Sequence, residues 1–550
     1  MKIALAQLNF HIGNFASNTE KIKANIVRAK NEGADLVVFS ELSVCGYPPK
    51  DFLEFPDFIA RCLAAVNEIA AACNGIAAIL GAPAINPKVE GKGLFNAAYV
   101  LENGKIKSVH HKGLLPNYDV FDEYRYFEPA KEFHVAEIAP KGQAGKKIAL
   151  TVCEDLWDIE EDLMYTQWPM EELIKQSPEL MINIAASPFN YRHAEMRRTV
   201  LKRNVEKYKM PLIYIQHVGA QTEIIFDGGS MVLNAKGEIV EELNYFEEDF
   251  KIVDTDSLQN FVSPPRHQGT KEIALIESAL ILGIKDYFAK MGFTKAILGL
   301  SGGIDSALVL VLAVKALGKE NVLSVLMPSE YSSGHSVDDS IALCKNLDCA
   351  YEIIPIRESF ETMRRTLSPV FKDAPFNVAE ENIQARLRAV ILMGIANKCG
   401  YILLNTTNKS EAAVGYGTLY GDMCGGIAVL GDVYKMQVFE LCRFINRDKE
   451  IIPSNILTKP PSAELRPGQK DSDSLPEYPV LDKVLYEYIE NRKGPKELVE
   501  MGFDKALVDR ILKMVNSNEW KRAQMAPVLR VSPKAFGSGR RMPIVGKYLG

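Results

Sequence analysis

The sequence predicts an α/β protein of two units, the second a doubly wound parallel sheet. Three observations lead there. Short apolar runs of strand length alternate with helix-like stretches along the 550 residues. Paired prolines and a polar flank interrupt that alternation at residues 260–266, dividing the chain into 1–260 and 261–550. A loop with adjacent glycines, Ser301-Gly302-Gly303-Ile304-Asp305-Ser306, joins the apolar run at 296–300 to another at 307–312, as a buried strand turning into a buried helix.

In the first unit, strands are expected at 2–9, 36–40, 76–81, 147–152, 180–186 and 211–217, with a helix over 19–30. Their apolar character predicts strands buried on both faces, and so a layered fold. In the second unit, strands at 295–300, 322–327, 351–356 and 401–405 are each followed by a helical pattern, which puts ligands at the C-terminal ends of the strands. Residues 460–479, rich in Pro, Ser, Asp and Glu, read as a mobile lid or a long ordered loop.

Composition excludes several classes. A hydrophobic content of 47% is ample for large cores, and a net charge of −6 argues against nucleic acid as a partner, because a phosphate-binding surface makes a chain basic. The nine cysteines, odd in number and without a C-x-x-C pair, suit a reducing cytoplasm better than a disulfide scaffold or a zinc site. Met1-Lys2 leads straight into a strand-like run, and no later run is long and uncharged enough for a membrane helix. The expectation is a cytoplasmic protein with no membrane partner.

The loop at 301–306 has the chemistry of a phosphate cradle. Two glycines let backbone N–H groups approach an anion, the serines add hydroxyl donors, and the helix that follows points its positive end at the same spot. A Walker loop would need a Lys after its last Gly, and none is present. The plainer alternative is a tight turn opening a core helix, in which Asp305 and both serines are idle. The form S-G-G-x-D-S resembles the pyrophosphate loop of enzymes that split ATP into AMP and pyrophosphate to adenylate a substrate.

Further along, Tyr401-Ile-Leu-Leu-Asn-Thr-Thr-Asn-Lys-Ser-Glu411 again places polar groups after an apolar strand. A carboxylate facing phosphates is repulsive unless a cation lies between them, so Asp305 and Glu411 suggest Mg²⁺. Helix capping and first-turn dipole pairing are their alternative roles. Lys435 offers a phosphate charge or a solvated side chain. From Trp520 onward there are seven Lys and Arg residues and no Asp or Glu, a basic tail suited to a dinucleotide pyrophosphate.

In the first unit, Cys153 ends the run 147–152, beside Glu154 and Asp155. A free thiol is only slightly ionised at neutral pH, so a nucleophilic role needs a base or a cation nearby. Glu41 ends the run 36–40, and Lys112 lies in His110-His-Lys-Gly-Leu-Leu-Pro. Singly, each has a bland reading: a buried inert thiol, a helix cap, a solvated ammonium.

Taken in order, Glu41 in F-S-E-L, Lys112 in K-x-x-L-P and Cys153 in C-E-D-L-W resemble the nitrilase, or carbon–nitrogen hydrolase, family over about the first 260 residues. The resemblance implies a four-layer αββα sandwich with Cys153 as nucleophile, Glu41 as base and Lys112 as stabiliser of the tetrahedral intermediate. The segments 114–127 and 186–189 resemble its glutaminase branch, implying that Tyr118 and Ser187 contact glutamine. His193, six residues after Ser187, stands where that branch usually carries Lys.

From about residue 270 onward the chain resembles the NAD synthetases, through Met327-Pro-Ser, Glu381-Asn382-Ile-Gln-Ala-Arg386, Asn408-Lys-Ser-Glu411, Tyr434-Lys435 and Pro460-Pro-Ser-Ala-Glu-Leu465. That resemblance implies a sheet of the ATP-pyrophosphatase (adenine nucleotide alpha hydrolase-like) type. It places ATP on Gly299, Leu300, Ser301, Gly302, Gly303, Ile304, Asp305, Ser306, Thr406 and Lys435. Asn382, Glu411 and Lys521 approach deamido-NAD, and Asp305 and Glu411 hold Mg²⁺. Thr407 stands where that family often has Gly.

The two resemblances together imply a homo-oligomeric enzyme of the family that feeds ammonia from glutamine to an adenylated deamido-NAD, with ATP as co-substrate. Two rivals remain open on sequence: another amide-hydrolase-coupled ATP pyrophosphatase, and a regulatory nucleotide-binding protein with an inactive amidase unit.

Overall fold

A computed structural model of the chain describes residues 1–139, 145–157, 164–258, 272–372 and 374–548. It divides into two compact units, Met1–Thr270 and Lys271–Gly550. The boundary expected at residues 260–266 lies outside the described residues.

In the first unit, one six-stranded sheet runs in the order Asp249–Asp254, Lys2–Gln7, Leu36–Val38, Ala77–Ile85, Leu94–Glu102, Lys105–His111. A second runs Ile239–Glu242, Met231–Leu233, Leu212–Gln216, Leu180–Ala185, Lys146–Val152, Ala136–Ile138. Strand alternation sorts the first strand between two cores: Ile3 and Leu5 pack with Ile182, Ile184 and Ile213 between the sheets, while Ala4 and Ala6 face Ile22, Ile26 and Val66 of the helices Phe15–Asn31 and Pro56–Ala72. Leu173 of Pro169–Ile174 and Leu201 and Val205 of His193–Tyr208 pack with the second sheet. The unit is a four-layer αββα sandwich.

The sheets are mixed, with more strands than the apolar runs announced. The hairpin of Leu94–Glu102 and Lys105–His111 turns at Asn103 and Gly104, both at positive φ (53° and 75°), the backbone that an Asn-Gly pair adopts most easily.

The second unit holds a five-stranded, all-parallel sheet in the order Ala350–Ile353, Val322–Leu326, Ala296–Gly299, Ile402–Asn405, Ile427–Ala428. Chain order reverses between Ala296–Gly299 and Ile402–Asn405, and a crevice at such a switch point is where doubly wound sheets bind ligands. Leu392 and Ala396 of helix Val378–Cys399 pack on Ile297, Val325 and Leu403. Helix Ile304–Leu317 is buried from Ser306 to Ala313, which is why its middle is apolar on every side, with Asp305 and Lys315 confined to its ends. No helix among the described residues is long and apolar enough to cross a membrane.

Candidate active sites

In the first unit, three strand ends converge. Gly81 makes room for Glu41: a Cβ there would lie 2.2 Å from the backbone nitrogen of Leu42. Cys153 opens the single turn Cys153–Leu156 at φ 42°, a strained value for a residue with a side chain. Asp155 holds that turn. Its Oδ2 accepts from the Val152 N–H (3.0 Å), and its Oδ1 accepts from Gly113 (3.0 Å) and Leu114 (2.9 Å), so one carboxylate locks the cysteine turn to the segment carrying Lys112. Burial pushes the Asp155 carboxyl up to about 6, against the pull of those three N–H groups.

Lys112 is fully buried and spends its three N–H groups on carboxylates: Glu41 Oε1 (2.8 Å) and both oxygens of Glu123 (2.9 Å each). Asn96 Nδ2 donates to Glu41 Oε1 (2.7 Å) and to Glu123 Oε2 (3.2 Å). Glu123 also receives the Tyr47 hydroxyl (2.9 Å), and Glu41 Oε2 receives the Ala186 N–H (2.9 Å). A carboxylate has about four lone-pair positions. Glu123 has filled all of them and Glu41 three, which leaves Glu41 Oε2 as the place where a thiol proton can land. Glu123 was not among the residues singled out in the sequence.

Burial and the neighbouring Glu41 hold the Cys153 thiol well above its usual range, with Lys112 pulling the other way. Burial alone would lower the Lys112 ammonium, but Glu123 and Glu41 raise it well above normal. The resting pair is therefore thiol and ammonium, and the thiol ionises only if a base removes its proton as the new bond forms.

The residues expected to bind glutamine surround the same turn. Tyr118 donates to Glu154 Oε1 (2.8 Å), as does Tyr165 (3.1 Å), and burial raises the Glu154 carboxyl to about 7. Ser187 Oγ lies 2.7 Å from His193 Nε2, and His193 stacks on Trp157 with ring centroids 4.9 Å apart. Gln216 fixes Ser187 from behind, accepting its N–H (3.0 Å) and donating to its carbonyl (2.5 Å).

In the second unit, a cavity of about 290 Å³ opens at the switch point. Gly299, Leu300, Ser301, Gly303, Ile304, Asp305, Ser306, Thr406, Glu411 and Lys435 line it. Gly302 lies behind the loop at φ 80°, where a Cβ would meet the Ser336 carbonyl oxygen at 2.4 Å. The serines tie the loop together: Ser306 Oγ donates to the Gly303 carbonyl (3.0 Å), and Ser301 Oγ accepts from the Gly303 N–H (3.2 Å).

Lys435 Nζ bridges Asp305 Oδ2 (2.5 Å) and Glu411 Oε1 (3.3 Å), and Asn408 Nδ2 donates to Asp305 Oδ1 (2.8 Å). Burial and the facing Asp305 push the Glu411 carboxyl up to about 8. Glu411 also closes a capping box with Asn408, so the capping role and the facing-carboxylate role coexist. Two carboxylates beside a phosphate loop fit Mg²⁺, a hard cation that takes one or two protein oxygens and completes its shell with phosphate and water. Among the described residues no larger cluster of metal-ligating side chains occurs.

Asn382 and Lys521 do not line the cavity. Both meet residues 415–418: Thr418 Oγ1 donates to Asn382 Oδ1 (2.7 Å), and Lys521 Nζ donates to the carbonyls of Gly415 and Gly417 (3.0 Å each). Two cations of the basic tail are held by partners within the chain. Arg522 is buried on the carbonyls of Ala412 (3.2 Å) and Ala413 (2.5 Å), and Arg540 pairs with Glu519 (2.8 Å). The 460–479 segment contributes Pro460 through Leu465 and Asp471 to the cavity wall, with Glu464 accepting from Ser333 Oγ (2.9 Å) and Ser336 Oγ (2.8 Å).

A thiol with its carboxylate base and ammonium in one unit, and a phosphate cradle with facing carboxylates in the other, define an ATP-using ligase coupled to an amide hydrolase. The chain matches the carbon–nitrogen hydrolase family over residues 2–259 and the NAD synthase family over 276–525. It is 46% identical to the glutamine-dependent NAD(+) synthetase of Synechocystis sp. over 99% of both chains, and 39% identical to that of Thermotoga maritima over 100% of this chain and 99% of the relative. The structure of glutamine-dependent NAD+ synthetase from Acinetobacter baumannii in complex with ADP superposes with a TM-score of 0.78 at 37% identity, over 99% of this chain and 98% of that one. The chain belongs to the glutamine-dependent NAD(+) synthetase family.

Proposed function

We infer that this chain makes NAD from deamido-NAD, ATP and glutamine, with residues 1–260 as the glutaminase and 261–550 as the synthetase. The observation that carries this reading is the pairing, in one chain of that family, of the Cys153–Glu41–Lys112–Glu123 set with the 301–306 cradle.

Cys153 Sγ attacks the carboxamide carbon of glutamine while its proton passes to the open position on Glu41. Lys112 holds two bonds to Glu123, so it turns one N–H toward the carbonyl oxygen and stays paired. Glu41 returns the proton to the departing nitrogen, ammonia leaves, and water hydrolyses the thioester to glutamate. Tyr118, Ser187 and His193 hold the rest of glutamine.

In the synthetase, an oxygen of the nicotinate carboxylate attacks the α-phosphorus of ATP and pyrophosphate leaves. Ammonia then attacks the acyl carbon and displaces AMP. The 301–306 loop, Thr406 and Lys435 bind ATP, while Asn382, Glu411 and Lys521 serve deamido-NAD. Asp305 and Glu411 would hold Mg²⁺, which would supply charge neutralisation for the polyphosphate.

Ammonia in neutral water is mostly ammonium, which is no nucleophile, so its transfer is screened from bulk water. The enzyme works in the cytoplasm, without nucleic acid or membrane, as a homo-oligomer.

The test is incubation with deamido-NAD, ATP, Mg²⁺ and amide-¹⁵N glutamine in the presence of unlabelled ammonium. NAD carrying ¹⁵N, with one AMP per NAD, is expected. AMP without NAD refutes the reaction, and complete dilution of the label refutes the screened transfer.

A further inference from the structure

Three cations line the synthetase cavity: Arg388, Lys435 and Lys459. Two are already matched by carboxylates. Lys435 bridges Asp305 and Glu411, and Lys459 lies 3.5 Å from Asp339. Arg388 makes no ion pair among the described residues. Its Nε donates to the carbonyl oxygen of Met327 (3.1 Å), and its Nη groups have no acceptor in the described chain. Burial pulls its guanidinium down to about 10, with Asp422 and Glu464 opposing that fall only from a distance. A partly buried cation on a cavity wall without an ion-pair partner is a ready site for an anion that enters the cavity.

The anchoring bond also places Arg388. Met327 follows the strand Val322–Leu326, which pairs with Ala296–Gly299, the strand that feeds the phosphate loop. One turn further along Arg388's own helix, Leu392 approaches so near that a Cβ on Gly299 would lie 3.3 Å from its Cδ1. Arg388 thus stands one helical turn, roughly 5 Å along the axis, from Leu392, which packs against Gly299, and it lines the same cavity as the loop.

We propose that Arg388 binds the phosphate that passes from ATP to the adenylate, with its Nη groups donating to the phosphate oxygens. Two parallel N–H donors match phosphate geometry, which a lysine at this position does not reproduce. The proposal deepens the assignment of this cavity to ATP and rests on it.

Isothermal titration of the full chain with Mg·ATP, AMP and adenosine, for wild type, R388Q and R388K, separates the outcomes. R388Q weakens ATP and AMP binding roughly 10- to 100-fold and leaves adenosine binding unchanged, and R388K recovers part of the loss. Unchanged affinity for ATP and AMP overturns the proposal. So does an equal loss for adenosine, which makes Arg388 a prop for the Met327 carbonyl rather than a phosphate ligand. Wild-type protein that binds neither ATP nor AMP removes the cavity's assignment, and the proposal with it.

Discussion

In the glutaminase unit the charges form a closed set, whereas in the synthetase unit they line an open cavity with donors in reserve. Lys112 has no spare N–H, Glu123 no spare lone pair and Glu41 a single one, so every proton has one place to go. The synthetase offers a loop of backbone N–H groups, two facing carboxylates and an unmatched arginine. The difference follows from the substrates. Attack on a neutral carboxamide needs one acid–base pair fixed in place, while a polyphosphate brings several charges that must be met when it binds.

The largest effect that can break this contrast comes from Cys153→Ala. Glutamine-dependent NAD synthesis should fall roughly 10⁴- to 10⁶-fold, while synthesis from high ammonium at mildly alkaline pH continues. Glu41→Gln should behave alike, and the double variant should lose little more than the worse single one, because the residues act as a unit. Initial rates with both nitrogen sources on the same folded preparations decide it. Loss of ammonium-dependent synthesis in Cys153→Ala would end the picture of two separable sites.

Asp305→Ala tests the other half. Removing one of the facing carboxylates should lower NAD formation from either nitrogen source by roughly 10²- to 10³-fold, with glutamine hydrolysis persisting. Near-normal synthesis from ammonium would take Asp305 out of the nucleotide site.

A smaller effect separates the units by pH. The Glu154 carboxyl, raised to about 7 by burial, is neutral below that pH and charged above it. If Glu154 meets the α-ammonium of glutamine, its charged form binds better, and the KM for glutamine should fall roughly tenfold between pH 6 and pH 8. Glu154→Gln should flatten that profile, and the KM for deamido-NAD in the ammonium reaction should not follow it. A glutamine KM with the same pH dependence in Glu154→Gln would assign the change to another group.

What the sequence made legible was chemistry at strand ends. Glu41, Cys153 and the 301–306 loop each follow an apolar run, so the parallel-strand pattern and the candidate residue came in one signal. Glu123 gave no such signal, since it sits on the short turn Glu123–Arg125 in an irregular segment and meets Lys112 only through folding. The hairpin that carries Asn96 and leads into Lys112 did have a signal, the Asn103-Gly104 pair, which a search for apolar runs passes over. Arg388 was hidden differently: on a helix with almost no polar–apolar division, nothing in the spacing says that it borders a cavity. The basic tail shows the same limit: its charges can be counted from sequence, but the carbonyls of Ala412 and Ala413 that take up Arg522 at the end of helix Lys409–Val414 cannot.

Lys521 gives the smallest and most discriminating test, because sequence resemblance and geometry assign it differently. The resemblance puts it against deamido-NAD, whereas in the fold two of its three N–H groups hold the carbonyls of Gly415 and Gly417. Next to them, Thr418 bonds Asn382, and Tyr416 lines the cavity. If the third N–H serves the substrate, Lys521→Ala should raise the KM for deamido-NAD roughly tenfold more than that for ATP, measured with ammonium so that the glutaminase plays no part. If Lys521 acts only as a staple for residues 415–418, both constants should rise together, because a loosened Tyr416 disturbs the nucleotide wall as well. Lys521→Arg sharpens the answer: a guanidinium can still reach two carbonyls, so it restores a staple, but it changes the geometry offered to a substrate oxygen. Recovery of both constants in Lys521→Arg would make the residue structural. Recovery of the ATP constant alone would leave it touching deamido-NAD, and put one more spare donor on the open side of the comparison.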